Sequence, residues 1–272
     1  MAREITKDTG LCISLSARPS NIGTRFHNYL YDELGLDYVY KAFTTNDIVA
    51  AVAGVRALGI RGCGISMPWK QEVIPLVDVM DPSAKSIGSV NTIVNDHGRL
   101  TAYNTDLIAV RTLLAEAAVP TDGDVAVLGS GGMAVACVAA LREHGFATGL
   151  VVARNERTGA QVASAYGWTW RPRLDDARPR VLVNATPVGM AGGPGERELP
   201  VDDDVVCRAR TVVDVVAFPS QTPLVRRAIE VGAQVVTGAQ VIALQAARQF
   251  ELYTGVRPSE DQVRRASEHS RT

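Results

Sequence analysis

The chain has 272 residues, 46% of them hydrophobic and 21% charged. That suits one large domain or two modest ones around a real core, and excludes disorder, collagen or a coiled coil as descriptions of the whole. Lys plus Arg number 28 against 29 for Asp plus Glu, a net charge of −1, so no global field recruits nucleic acid or an anionic membrane and any anionic ligand needs a local device.

The apolar runs are strand-sized, too short for a membrane span, and the opening MAREITKDTG lacks the apolar stretch of a signal peptide. Cys12, Cys63, Cys137 and Cys207 lie far apart, each in or beside an apolar run, and read as buried thiols rather than a disulfide framework or zinc site. His27, His97, His144 and His269 show no metal-ligand spacing. The expectation is a cytoplasmic protein without metal.

In chain order, LCISL (11–15) reads as a buried strand. Residues 21–34 read as a helix, with Phe26, Leu30 and Leu34 four apart and Gly35 as its stop. DYVYKAF (37–43) alternates like a strand. Thr45 or Asn46 caps a helix whose stripe is Ile48, Val49, Val52, Val55 and Leu58. IRGCGIS (60–66) is a third strand, after which Pro68 suits the first turn of a helix carrying Lys70. VNTIVN and RLTAYN flank Asp96-His97-Gly98, a hairpin signal. Asp106 opens a helical pattern through Leu107, Val110, Leu113 and Leu114.

The character changes after Pro120-Thr121-Asp122-Gly123. DVAVLG (124–129), GLVVAR (149–154), RVLVNATP (180–187), TVVDVV (211–216) and AQVV (233–236) read as strands separated by helices, one of them starting at Thr222-Pro223. That alternation predicts an α/β fold with a doubly wound parallel sheet. Gly192–Asp204 is the best candidate for a mobile surface loop, and 238–253 reads as an amphipathic helix.

Gly129-Ser130-Gly131-Gly132-Met133-Ala134 directly follows a strand and opens a helix, the context that lifts a GxGxxA pattern above a chance glycine-rich turn. Gly129 permits the tight turn, Gly131 lets the backbone approach a pyrophosphate, and Ala134 is small enough for helix-on-strand packing. The helix N-terminus offers unpaired N–H groups and a positive dipole end to phosphates. Where an NAD site carries an acid at the end of the next strand, this chain has Arg154, with Arg157 close by. A guanidinium there can grip a 2′-phosphate, which favours NADP over NAD; Glu156 argues the other way, and Arg157 can equally be a solvated charge.

Four further stretches combine hydroxyls, amides and single charges: Ser14-Leu15-Ser16, Ser66-Met67-Pro68-Trp69-Lys70, Ser89-Val90-Asn91-Thr92 and Asn104-Thr105-Asp106. With the glycine loop, Asn184-Ala185-Thr186-Pro187-Val188-Gly189-Met190, the run from Asp214 to Leu224, and Gly238 to Gln245, the chain resembles the shikimate dehydrogenase family over about residues 11–256. The resemblance implies a Rossmann-type nucleotide domain plus a second α/β substrate domain. Their expected bounds are 106–237 for the nucleotide domain and 1–105, completed by 238–272, for the substrate domain. It also implies a reversible NADP-linked oxidation of a ring hydroxyl of shikimate to 3-dehydroshikimate, in the chorismate pathway of aromatic amino acid biosynthesis.

By the same resemblance Lys70 and Asp106 are the proton-transfer pair, and Ser14 and Ser16 hold the substrate carboxylate. Ser66 stands where the family usually has Thr, and Asn91, Asp106 and Gln245 bind ring hydroxyls. Gly129 to Ala134, Arg154, Arg157, Thr186 and Gly238 hold the cofactor. The residue types suit the chemistry: moving hydride off an alcohol carbon needs a group to take the hydroxyl proton, and a polyol needs fixed donor–acceptor groups.

Three departures point to the shikimate dehydrogenase-like branch. Ten residues, Ala17 to Phe26, separate Ser16 from His27-Asn28, where the family has a much shorter link, and they carry Arg18 and Arg25. Ala217 stands at a family tyrosine, and the late helix opens Gly238-Ala239-Gln240-Val241-Ile242. Quinate or another cyclic hydroxy acid is therefore an alternative substrate, and a weakly active, nucleotide-responsive binding protein an alternative role. Monomer and homodimer are both open.

Overall fold

The computed structural model describes residues 4–271. The first unit begins with β1 (Gly10–Ser16), α1 (Asn21–Glu33), β2 (Tyr38–Thr44), α2 (Ile48–Ala57), β3 (Gly62–Ile65), β4 (Val79–Met80), α3 (Pro82–Lys85), β5 (Thr92–Asp96) and β6 (Arg99–Tyr103). The second holds most of α4 (Thr105–Glu116), then β7 (Val125–Leu128), α5 (Gly132–His144), β8 (Leu150–Val152), α6 (Glu156–Tyr166), β9 (Thr169–Arg171), β10 (Val181–Asn184), α7 (Asp203–Arg208), β11 (Thr211–Asp214), α8 (Pro223–Glu230) and β12 (Gln234–Thr237). The chain ends with α9 (Gly238–Thr254) and α10 (Glu260–Ser270). The first unit comprises the residues up to Thr105 and those from Ala243 on; the second is Asp106–Ile242.

The chain returns to the first unit at Ala243, five residues later than the expected 238. The first turn of α9 stays with the second unit because Gly238 lies against the Val216 carbonyl so closely that a Cβ would not fit. Thr237 and Gln240 tie that turn to β12, the Thr237 N–H donating to Gln240 Oε1 at 2.8 Å.

The first unit is built on a mixed sheet in the order β2-β1-β3-β5-β6-β4. β1 runs parallel to β2 and β3, and β5 and β6 form the expected antiparallel hairpin with Asp96 opposite Arg99. His97 and Gly98 take positive φ (52° and 89°), the pair of conformations that matches strand twist in a two-residue turn. Apolar side chains cover both faces, with Ile48, Val52 and Val55 of α2 in one cluster and Phe26, Leu30, Tyr31, Phe250 and Tyr253 of α1 and α9 in the other.

The second unit is a parallel six-stranded sheet in the order β12-β11-β10-β7-β8-β9. It is the doubly wound Rossmann arrangement, in which the direction of winding reverses between β7 and β10 and ligands bind beyond the strand ends at that point.

Several local expectations give way. Residues 67–73 form turns rather than a helix, and one 3-10 turn follows at Ile74–Leu76. Pro75 explains this, since its ring would collide with the Gln71 carbonyl of an α-helix. The cap of α2 is Asp47, which accepts the Ala50 N–H at 2.9 Å. Within 192–204, Leu199 and Val201 pack on the core, and α7 follows with Val205 and Val206 buried. Cys12, Cys63 and Cys137 are buried but Cys207 is exposed, because α7 turns Val205 and Val206 inward instead.

Candidate active site

In the first unit the strand ends gather hydroxyls and amides. Ser14 is in register with Gly64 of β3. A Cβ at Gly64 would lie 3.0 Å from Tyr40 Oη, 3.4 Å from Ser14 Cβ and 3.6 Å from Gln249 Nε2. Glycine there leaves room where three polar side chains converge. The Tyr40 hydroxyl lies on the same side of Gly64 as Ser14, and burial pushes its pKa up, so it stays a neutral phenol. Ser16 is buried at the end of β1, and its Oγ accepts the Arg18 N–H at 3.1 Å. Ser66 follows β3, exposed; its N–H donates to the Leu15 carbonyl at 2.9 Å, which ties its loop to β1. Lys70 is half-buried in the turns after β3, and its carbonyl accepts the Val90 N–H at 2.8 Å.

A buried chain of hydrogen bonds fixes the amides. Asn91 Oδ1 accepts from Thr92 Oγ1 (2.8 Å), the Thr105 N–H (2.8 Å) and Thr105 Oγ1 (3.1 Å). Gln249 Nε2 donates to Thr92 Oγ1 at 2.9 Å, and Thr105 Oγ1 lies 3.3 Å from Gln245 Oε1. Asn91 Oδ1 accepts all three of these donors, while the single Thr105 hydroxyl proton serves either Asn91 or Gln245. Gln249 and Thr105 are the residues sequence reading missed. Gln249 sits one helical turn beyond Gln245, and the i, i+4 repeat of glutamine on one helix was the available signal. In the Asn104-Thr105-Asp106 motif, Asn104 Nδ2 donates to the Ser89 carbonyl at 3.0 Å and Thr105 anchors to Asn91. Asp106 is the next residue, half-buried in the first turn of α4 and the first residue of the second unit.

The glycine loop of the second unit has the required shape. Gly129 takes φ +110°, and a Cβ there would sit 2.8 Å from the Ala185 carbonyl oxygen, so the β7 and β10 loops touch at the point where the winding reverses. Gly131 and Gly132 are exposed, with nothing within 4 Å of an added Cβ. Gly131 caps α5 without a side-chain hydrogen bond, which leaves the first-turn N–H groups for an anion. Ala134 is fully buried against the sheet and Met133 is half-buried. Ser130 Oγ lies 2.7 Å from Thr158 Oγ1, joining this loop to α6.

Arg154, two residues past β8, and Arg157, in the first turn of α6, are both exposed. Neither has an ion pair among the described residues. The α6 cap is Asn155, which accepts the Thr158 N–H at 3.1 Å.

The Asn184 and Asp214 motifs form one buried network. Asp214 is fully buried and accepts from Asn184 Nδ2 (3.1 Å), the Val216 N–H (3.1 Å) and Thr222 Oγ1. Burial pushes its pKa up, and those three donors pull it back. Thr186 Oγ1 donates to Asn184 Oδ1 at 2.6 Å and accepts the Val188 N–H at 3.3 Å, so its hydroxyl chiefly shapes the loop. Among the described residues no helix is long and apolar enough to cross a membrane, and no cluster of His, Cys, Asp and Glu could hold a metal.

Comparison with known proteins agrees with this geometry. The family of the shikimate dehydrogenase substrate binding domain matches residues 18–93. A shikimate dehydrogenase-like protein of Haemophilus influenzae is 51% identical over 98% of this chain and 99% of its own. The structure of shikimate 5-dehydrogenase from Thermus thermophilus, in complex with NADP(H) and shikimate, superposes with TM-score 0.85 at 30% identity, covering 96% of this chain and 99% of that one. Quinate dehydrogenase from Corynebacterium glutamicum, in complex with NAD, superposes with TM-score 0.85 at 26% identity over 96% and 98% of the two chains. With a doubly wound nucleotide sheet, the ordered motifs and full-length similarity in hand, the chain belongs to the shikimate dehydrogenase family of oxidoreductases, in its shikimate dehydrogenase-like branch.

Proposed function

We propose that the protein is an NADP-dependent dehydrogenase of the cytoplasm that interconverts a ring hydroxyl of shikimate, or of a close cyclic hydroxy acid such as quinate, and the corresponding ketone. The observation that carries this is the set of amide and hydroxyl groups fixed by the Gln249–Thr92–Asn91–Thr105–Gln245 chain in the unit that also contains Ser14, Ser16 and Lys70. Fixed, neutral groups of that kind suit a polyol acid and would be poor partners for an apolar substrate.

The residues present fit a bound NADP. The N–H groups at Gly131–Met133 would take the pyrophosphate, and Arg154 with Arg157 the 2′-phosphate. When bound, the nicotinamide supplies or accepts the hydride. Lys70 gives a proton to the carbonyl oxygen in reduction and takes it from the hydroxyl in oxidation, with Asp106 orienting the pair. Asn91 and Gln245 hold the remaining ring hydroxyls, and Ser14 and Ser16 hold the carboxylate.

Ala217 offers no hydroxyl where the family has tyrosine. The loss of one hydrogen bond costs on the order of 1 kcal/mol, roughly tenfold in rate or affinity. That favours a substrate that differs from shikimate at one group. Steady-state assays with shikimate and quinate, each with NADP and NAD, test the reading by cofactor absorbance. Efficient NADP-linked turnover of one of the acids is expected. Ligand-induced stabilisation without turnover would replace the dehydrogenase with a nucleotide-responsive binding protein.

A further inference from the structure

The segment between Ser16 and His27 carries two arginines that the reading above leaves without a task, and the structure separates them. Arg25 lies on α1 and lines a groove of about 600 Å³ with Thr24, Asn28, Asp32 and His269. Arg18 stands two residues beyond Ser16, and its backbone N–H is the donor that Ser16 Oγ accepts, at 3.1 Å. The next backbone contacts bind this turn to the β3 loop: the Ala17 N–H donates to the Met67 carbonyl at 3.3 Å and the Ser66 N–H to the Leu15 carbonyl at 2.9 Å. The Arg18 guanidinium is exposed and has no ion pair or hydrogen bond among the described residues.

The serines alone are too few donors for a carboxylate. An ionised carboxylate offers about four lone-pair sites, and each serine has one O–H to give. Ser66 is open to water, where a neutral donor gains little over solvent. A guanidinium anchored through its own backbone to Ser16 supplies the missing charge and a two-pronged donor.

We infer that Arg18 is a specificity-determining residue of this chain: its guanidinium pairs with the substrate carboxylate that Ser14 and Ser16 hold. This rests on the cyclic hydroxy acid reading given above. It predicts that the enzyme distinguishes a free carboxylate from its ester chiefly through Arg18, and that added salt weakens the distinction because the pair is partly solvated.

The test compares shikimate with its methyl ester on the parent, Arg18→Ala, Arg18→Lys and Arg25→Ala. In Arg18→Ala, KM for shikimate should rise about 10- to 100-fold with kcat within about threefold. KM for the ester should stay near the parent value, so that the preference for the acid disappears. Arg18→Lys should restore part of that preference, and Arg25→Ala should match the parent. An Arg18→Ala enzyme that keeps the parent's preference for the acid overturns the inference, as does a parent that shows no such preference. If the parent turns over neither shikimate nor quinate, the dehydrogenase reading fails on its own. Calorimetric binding of shikimate and its ester to the same four proteins then decides Arg18 by the same criterion.

Discussion

Lys70 is the side chain on which the proposed proton transfer turns. Removing a positioned acid–base group costs about 10²- to 10⁴-fold in rate. Lys70→Ala should therefore lose kcat by that factor while NADP still binds, as a fluorescence titration of the cofactor would show; parent-like turnover would dismiss the assignment. Arg154 allows a second, independent substitution. Its guanidinium is exposed, without an ion pair among the described residues, two residues past the end of β8. Losing a charge-assisted contact there should raise KM for NADP about tenfold or more in Arg154→Ala and leave KM for NAD almost unchanged. A parallel rise for both cofactors would place Arg154 outside the 2′-phosphate site.

At the scale of elements, the loops that follow β10 and β11 are stabilised from within. Thr222 does two things: its Oγ1 accepts the Val225 N–H at 3.1 Å as the cap of α8, and it donates to the buried Asp214 carboxylate. Thr222→Val keeps the shape and deletes both. It should cost about 2–3 kcal/mol, the sum of a lost cap and an unsatisfied buried acceptor, read as a lower denaturant midpoint. Thr222→Ser, which keeps the hydroxyl, should recover most of that loss. A Thr222→Val protein with the parent's midpoint would show that the network carries no net stability. In the first unit, Asn28 has a comparable role: its Nδ2 donates to the Tyr40 carbonyl at 2.8 Å and its Oδ1 accepts the Tyr40 N–H at 3.0 Å. Those bonds hold the edge strand β2 on α1.

For the molecule as a whole, the pH dependence of stability is set in part by one core residue. His27 is fully buried and stacked on Tyr40 at 4.4 Å between ring centroids, and among the described residues neither ring nitrogen has a hydrogen-bond partner within normal geometry. Burial pushes its pKa down from 6.5 to about 3. The unfolded chain takes up this proton below pH 6.5 and the folded one only near pH 3. Stability is therefore lost as pH falls through that window, by about 1.4 kcal/mol per pH unit. Asp214 works the other way: its raised pKa favours the folded state at low pH and loses that contribution as pH rises. Urea midpoints between pH 7 and pH 4 should fall steeply for the parent and clearly less for His27→Phe, which keeps the aromatic packing without a titrating group. Equal slopes would show that another group governs acid unfolding.

Short-range signals were the ones legible in the chain alone. Strand and helix alternation, the Asp96-His97-Gly98 hairpin and the glycine loop after β7 all rest on contacts within a few residues, where side-chain period and turn chemistry decide the backbone. The expected helix at Lys70 failed for a local reason too, since Pro75 stood in plain view. What only the tertiary structure decided spans long separations. Gln249 meets Thr92 across 157 residues, Thr105 meets Gln245 across 140, and Gly129 touches the loop after β10. Arg18 and Arg25, indistinguishable as letters, part ways once β1 and β3 bind one of them beside Ser16 and α1 carries the other into a groove. Such pairings depend on how whole sheets and helices pack, and no local pattern of residues encodes that.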